Sequence, residues 1–403
     1  MATMYPPPPG PPPVFHASVQ CAPSSKLPPR KYSPPPGPPP NLYPQNAHDL
    51  SKFIRNNLTT LATQGWLSVP LPPDLESLYA DLFAESANFF NLPSDSPVKL
   101  RHAAPSGKSA ADEGFADIPG EKQLITLRRL SGIPDASSTP EGSARTLQNA
   151  VTAAWDATGE LFLDTVHTIA ESLGLDEDVF DEMSADAHGL PVTSRATSLL
   201  RLFRYNRPPQ DTPASKTIVA EAHKDLGILT LVVGHSPGLD VRDSTTREWI
   251  SVEDTPLGRG RLTATLLGGR TLSYLTRGLY ASGDHRVSVR PPSSADDLHR
   301  FSLVFALRPA GSAPIYTDIF ARSPLVGPFP PATLSPKTYP QCSMHGEPAR
   351  VLFDAIVQNH WSVNVKPEIR EMQKKRLAEG GPGQSEAAPL EAPDKPLETV
   401  VAK

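Results

Sequence analysis

Cysteine is nearly missing: two occur in 403 residues, Cys21 and Cys342, far apart and the first in a proline-rich stretch. That scarcity excludes a disulfide framework and a thiolate zinc site, and it makes a reducing compartment the expected setting. Any metal must then be held by histidine and carboxylate, donors that suit iron, manganese or zinc. No apolar run approaches the roughly 20 residues that cross a bilayer. An excess of either charge is also lacking, since 38 Lys and Arg against 43 Asp and Glu leave −5. That balance speaks against nucleic acid or a membrane surface as the main partner. The opening "MATMYPPPPGPPPVF" has neither a basic n-region nor an apolar h-region, and the final "VAK" is not the peroxisomal tripeptide, so a cytoplasmic location is expected. "LLGGR" lacks the lysine of a phosphate cradle.

Proline dominates the start instead, with 16 among the first 40 residues in runs such as "PPPPGPPP". Such a segment cannot form a hydrogen-bonded ladder, so residues 1–43 are expected to be a solvated or polyproline II tail. Docking on SH3 or WW grooves is the functional alternative for it. Residues 378–403 are expected to be a second tail by the same composition. Between the tails, "AHDLSKFIRNNLTTLATQ" and "DLESLYADLFAESANFFNL" carry helical apolar spacing, as does the long "TLQNAVTAAWDATGELFLDTVHTIAESLGL". Residues 44–195 therefore read as an N-terminal helical region, with short strands at "GWLSVPL" and "KQLITLRRL". After residue 196 the period shortens. Eight strands follow, "SLLRLFRY", "IVAEAH", "GILTLVV", "LDVRD", "EWISV", "RLTATLLG", "DHRVSVR" and "RFSLVFALRP", separated by Gly, Pro and Asp turns. Residues 196–312 are thus expected to form a jelly roll, or double-stranded β-helix. Residues 313–377 read as a C-terminal helical region. The fold class is α+β: a jelly-roll core with flanking N- and C-terminal helices.

Within that core, "AEAHKDLG" sets His223 and Asp225 two residues apart at the end of a strand, on one face. His285, in "SGDHRVSV", begins a later strand that could lie on the opposite sheet. Two neutral imidazoles and one carboxylate make the facial triad of non-haem iron(II) oxygenases, which leaves one face of the metal open. In "HRFSLVFALRP", Arg300 and Ser302 share a strand face with Val304 and Ala306 that should point inward. An inward arginine needs an anion, and a guanidinium fork with a serine hydroxyl can grip a carboxylate. A surface carboxylate holding Arg300 at a strand edge is the plainer alternative. Tyr205, ending "SLLRLFRY", could donate its phenol to the same ligand or be buried for packing. His167, His235 and His299 read as structural or outward-facing residues.

The pieces "AHKDLGILTLV", "LTRGLYASGDHRV", "RFSLVFALRP" and "LRLFRY", with "GWLSVPLPPDLESLYADLFAESANFFNLPSDSPVKL" upstream, together resemble the isopenicillin N synthase-like iron(II)/2-oxoglutarate-dependent oxygenases. The resemblance runs in order over roughly residues 45–310. It implies that His223, Asp225 and His285 bind Fe(II), that Arg300 and Ser302 hold the far carboxylate of the co-substrate 2-oxoglutarate, that Tyr205 assists, and that O2 is the oxidant. Oxidation of a small organic molecule, by hydroxylation in the usual case and with secondary metabolism as one setting, is the implied activity. Lys224 within the H-x-D triplet and Arg270 after the glycine pair depart from the family pattern. So do the lengthened loops "RPPSSADDL" and "YNRPPQDTPAS", and the latter loosens the placement of Tyr205. The substrate pocket is expected between the N-terminal region and the C-terminal helices, with Phe115, Gln123 and Arg129 as candidate contacts. Two other readings stay open: an iron oxidase that takes all electrons from its substrate, and a non-catalytic interaction protein on the same fold.

Overall fold

Asn46 opens the first helix, α1 (Ala47–Asn56), by accepting the Asp49 amide on its side chain at 3.0 Å. The periodic stretch breaks at Asn57 and resumes as α2 (Leu58–Gln64), which Gly65 ends in the left-handed conformation. β1 (Trp66–Pro70) follows, then α3 (Pro73–Asn91), whose last turn stops where Pro93 forbids continuation. A short α4 (Pro97–Arg101) precedes the hairpin of β2 (Gly114–Ile118) and β3 (Lys122–Leu127). α5 (Leu147–Ser172) is the longest helix and buries a stripe that includes Val151, Trp155, Phe162 and Ile169. The computed structural model describes residues 43–103, 112–134, 147–209, 217–254, 261–292, 297–330, 343–358 and 360–379. The proline-rich segment and the C-terminal tail lie outside the described residues, and the SH3 or WW reading of the first rests on them alone. Among the described residues no helix is long and apolar enough to cross a membrane.

Eight core strands occur where the alternation places them: β4 (Leu199–Asn206), β5 (Thr217–Lys224), β6 (Leu229–Gly234), β7 (Leu239–Arg242), β8 (Trp249–Ser251), β9 (Thr263–Gly268), β10 (Asp284–Val289) and β11 (His299–Leu307). They divide four and four. The order β9-β6-β11-β4 forms the centre of a seven-stranded antiparallel sheet, extended by β1 at one edge and by β3 and β2 at the other. The order β5-β10-β7-β8 forms the facing sheet. The fold is the expected α+β class, with an antiparallel double-stranded β-helix core between N- and C-terminal helices. A one-turn helix, α6 (Arg270–Leu275), links β9 to β10. After β11 come β12 (Pro314–Tyr316), α7 (Thr317–Ala321), β13 (His345–Pro348), α8 (Ala349–Gln358) and α9 (Pro367–Ala378). The small β12–β13 ladder, α7 and β2 carry too few residues to show a period.

The large sheet has two apolar faces, and each serves a different purpose. Leu303, Phe305 and Leu307 of β11 turn outward onto α5, with the Phe305 ring 4.5 Å from Trp155 and 5.3 Å from Phe162. Burying one such aromatic is worth about 1.5–3 kcal/mol, so this layer anchors the sheet. Phe203, Tyr205, Val232 and Leu239 belong to a second cluster between the two sheets, and it is there that the polar residues gather. The turn after β5 is fixed by close backbone contact. A methyl group at Gly269 would collide with the Gly227 carbonyl, so glycine at 269 lets α6 begin directly against residues 225–227.

Candidate metal centre and its two cavities

β5 and β10 are antiparallel neighbours, and His223 stands directly opposite His285 in their register. The expectation that His285 sits on the opposite sheet is therefore corrected: both histidines lie on one sheet, their rings 4.3 Å apart. Asp225 falls one residue past the end of β5. Its carbonyl accepts the Arg270 amide at 2.8 Å, and the Leu226 carbonyl accepts the Thr271 hydroxyl at 2.7 Å. These bonds to the first turn of α6 hold the carboxylate back over the histidines. Its oxygens approach Nε2 of His223 and Nε2 of His285 at 3.9 Å each. One ligand atom from each of the three residues lies within 4.8 Å of the others. Lys224 pairs in register with Asp284 and lines neither cavity described below.

The local chemistry suits a cation. Nδ1 of His223 donates to the Glu221 carbonyl at 2.8 Å, and Nδ1 of His285 to that of Gly283 at 3.3 Å. With Nδ1 carrying the proton, each Nε2 lone pair faces Asp225, the usual arrangement for metal-binding imidazoles. Burial, reinforced by the neighbouring His285, pushes His223 well below the ordinary imidazole range, so it is neutral and able to donate electrons. Burial alone would raise the Asp225 carboxyl, but His285 and His223 outweigh it and hold it below its usual value. Asp225 Oδ2 is buried with no hydrogen-bond partner. An ionised carboxylate oxygen without a partner, facing two imidazole lone pairs, is explained by a bound cation.

Two cavities meet at this cluster. The inner one, about 50 Å³, is lined by Phe203, Tyr205, Val232, His285 and Ser302 among others. Arg300, two residues before Ser302 on β11, is fully buried, with its guanidinium carbon 5.7 Å from the centre of the Tyr205 ring. The acid beside it, Glu253, escaped the sequence reading. Both of its oxygens lie 3.1 Å from Nη2 of Arg300, and one accepts the amides of Gly238 and Leu239. Arg300 is thus held by a carboxylate, a buried one and not one at the surface. Its Nη1 and the Ser302 hydroxyl are nevertheless buried without partners among the described residues. Glu253 takes Nη2 and the Ser236 carbonyl accepts Nε at 2.9 Å, so Nη1 is the nitrogen that remains. Burial raises the Tyr205 phenol above its ordinary value, so it stays a donor. Lys122 lies over the same ring at 5.7 Å and donates to the carbonyls of Val219 and Val363. We expect Glu253→Gln to cost about 1.5–3 kcal/mol, the range for a hydrogen bond to a charged group. Chemical denaturation measures it, and an unchanged midpoint would mean the pair contributes nothing.

The outer cavity, about 560 Å³, shares His223 and Asp225 with the inner one and lies under the C-terminal helices, as expected. Its contacts are not those expected. Phe115 packs edge-on to Phe89 at 5.7 Å, Gln123 donates to Asp117 at 2.7 Å, and Arg129 binds Glu113 at 2.9 Å. None of the three lines it. Arg128, Arg201 and Arg308 do, with Phe353, Val357 and His360 across from them. Strand alternation was the available signal: Arg128 continues the inward series of Lys122, Leu124 and Thr126, whereas Arg129 falls on the other side.

The comparisons with known proteins agree with this geometry. Residues 196–309 match the family model described as the 2OG-Fe(II) oxygenase superfamily. The chain is 29% identical over 234 residues to the 2-oxoglutarate-dependent dioxygenase citB of Monascus ruber, covering 52% of this chain and 66% of that relative, just under two thirds of its length. Among solved structures, a Caulobacter crescentus protein assigned to the 2OG-Fe(II) oxygenase family superposes with a TM-score of 0.51 at 22% identity, covering 69% of this chain and 89% of the other. A full-length Neurospora crassa protein, solved with alpha-KG and 5-formyluracil, gives 0.50 at 21% identity, covering 67% and 83%. At those identities the two structures speak for the fold alone. With a facial triad on one rim of a double-stranded β-helix and a family model spanning all eight of its strands, the core at residues 196–309 belongs to the 2OG-Fe(II) oxygenase superfamily.

Proposed function

We propose that the protein is an Fe(II)- and 2-oxoglutarate-dependent dioxygenase that oxidises, most simply by hydroxylation, a small organic molecule. The observation that carries this is the pair of buried donors without partners among the described residues, Arg300 Nη1 and Ser302 Oγ, on the strand whose Ser302 lines one cavity with the triad residues. A dicarboxylate with a 2-oxo acid at one end fits both requirements at once. Arg300 and Ser302 bind the remote carboxylate, Tyr205 donates beside it, and His223, Asp225 and His285 hold the metal. Iron(II) at the triad would supply the oxidation, one atom of O2 entering succinate as 2-oxoglutarate loses CO2 and the other entering the substrate.

The residues of this chain contribute orientation and dryness. Glu253 fixes the plane of the Arg300 guanidinium, so the co-substrate meets a pre-set fork and little ordering cost remains. Phe203, Val232, Leu239 and Val287 wall the inner cavity, which excludes water from the co-substrate. The substrate enters from the outer cavity, whose shared residues His223 and Asp225 place it beside the metal.

The test is anaerobic addition of Fe(II) and then 2-oxoglutarate to the full chain, followed in the visible. A weak metal-to-ligand charge-transfer band that requires both additions supports the reading. Iron binding without a band, with O2 uptake independent of 2-oxoglutarate, would favour the oxidase reading; no iron binding would leave the fold without this chemistry.

A further inference from the structure

The inward face of β11 carries a basic residue at each end. Arg300, Ser302 and Val304 run in steps of two from the inner cavity, and the same alternation past the strand end brings Arg308 into the outer one. β4 repeats the pattern, since Arg201 pairs in register with Val304 and lines both cavities. β3 ends the same way with Arg128. The metal site thus lies between two basic regions, of which 2-oxoglutarate would use only the inner.

The arginines of the outer cavity are not equally available. Arg128 is spent on the chain itself, donating to the carbonyls of Asp112, Ala196 and Thr197. Arg201 commits Nε to the Thr126 hydroxyl at 2.8 Å and lies over the Phe203 ring. Arg308 differs: no carboxylate pairs with its guanidinium among the described residues, and its Nε is buried with no hydrogen-bond partner. Its one side-chain neighbour of note is the ring of Phe353, 5.1 Å away. Two acids line the cavity. Asp112 is taken up by Arg195 and Arg128, and Asp225 belongs to the metal cluster. Burial, and then their mutual repulsion in the case of Arg308, lowers both Arg308 and Arg201 to about 10, still charged at neutral pH. A charged guanidinium that faces a cavity with its Nε buried, and with no carboxylate paired to it among the described residues, is costly unless an anion comes to it.

We propose that the substrate is a small organic acid whose carboxylate is bound by Arg308 and Arg201, with its apolar body against Phe353 and Val357. This rests on the dioxygenase reading of the site and adds the substrate class to it. The carboxylate is held on the wall formed by β4 and the end of β11, where the two cavities join, and the apolar body lies against the C-terminal helix α8. A neutral analogue would leave the Arg308 guanidinium without a counter-charge, which is how a polar site rejects a near-isostere.

The test uses the full chain loaded anaerobically with Fe(II) and saturating 2-oxoglutarate, so that the inner anion site is filled. Calorimetry compares benzoate, 2-naphthoate and decanoate, each with its primary amide. We expect at least one acid to bind about tenfold or more tightly than its amide, as a charge-assisted pair allows. Arg308→Leu should bring that ratio near one, and Arg308→Lys should retain part of it. The charge-transfer band is read first in every variant, so that a misfolded Arg308→Leu is recognised and Arg308→Gln takes its place. No acid binding better than its amide, or a ratio that survives loss of Arg308, overturns the proposal. Absence of the band in the unaltered chain overturns the dioxygenase reading beneath it; a normal band without acid preference overturns the substrate class alone.

Discussion

Replacing Arg300 with leucine is expected to raise the dissociation constant for 2-oxoglutarate by at least about a hundredfold, with the Fe(II) constant nearly unchanged. The guanidinium is fully buried, and its Nη1 has no partner among the described residues. A carboxylate that reaches it is desolvated and meets a fixed fork. Removing one partner of such a pair costs on the order of 3–5 kcal/mol, roughly two to four decades of affinity. The variant also strands Glu253, which keeps its bonds to the Gly238 and Leu239 amides but loses its cation. Some loss of melting temperature is therefore expected. The two constants, measured separately, distinguish the effects. Equal weakening of both would indicate general unfolding, and lost substrate binding at constant 2-oxoglutarate affinity would move Arg300 to the substrate. Arg300→Lys should fall between, since it keeps the charge and loses the fork.

The second large effect is expected at the triad. His223→Ala and His285→Ala should each abolish iron retention and turnover while leaving far-ultraviolet circular dichroism unchanged. Both imidazoles hang from strands whose ladders are backbone bonds, and among the described residues their side-chain hydrogen bonds go to carbonyls two residues back. Loss of a ring therefore removes a ligand without opening the sheet. Metal content per chain after desalting measures it. Full iron in either variant would mean that the cation, if one binds, is held elsewhere.

The eight core strands were legible because alternation is a local property, and each inward series announced its own face. The inward placement of Tyr205 and Ser302 and the burial of Arg300 were readable in that way. Pairing was not. Nothing in "SGDHRVSV" says that β10 lies beside β5, since neighbours in a sheet are fixed by connections through the whole core. Glu253 was hidden for a related reason: it sits in the helical turn after β8, where no period runs, and it matters only because the fold carries Arg300 to it. The choice of Arg129 over Arg128 shows the opposite failure. There the pattern was present in "KQLITLRRL", and counting two at a time from Lys122 reaches Arg128. Asn57 divides one expected helix into two because its side chain bonds back to the Phe53 carbonyl at 2.8 Å, a local competition that apolar spacing does not reveal.

The cover over the outer cavity is fastened differently from the rest of the molecule. Only one residue of α9 is buried, and that residue is Arg370, paired with Glu121. Lys374 meets Glu221 at 2.6 Å, and Gln373 accepts the Ser362 amide at 2.8 Å. An element attached by charge and not by oil answers to ionic strength. Counter-ions shorten the reach of the half-exposed Lys374–Glu221 pair from about 10 Å at 0.1 M to about 3 Å at 1 M, while the apolar layers beneath α5 tighten if they change at all. Added salt should therefore speed amide hydrogen exchange in α9 and leave β6 and β11 protected, loosening the cover without loosening the barrel. Uniform protection across the salt series would show that α9 is held by contacts other than these pairs.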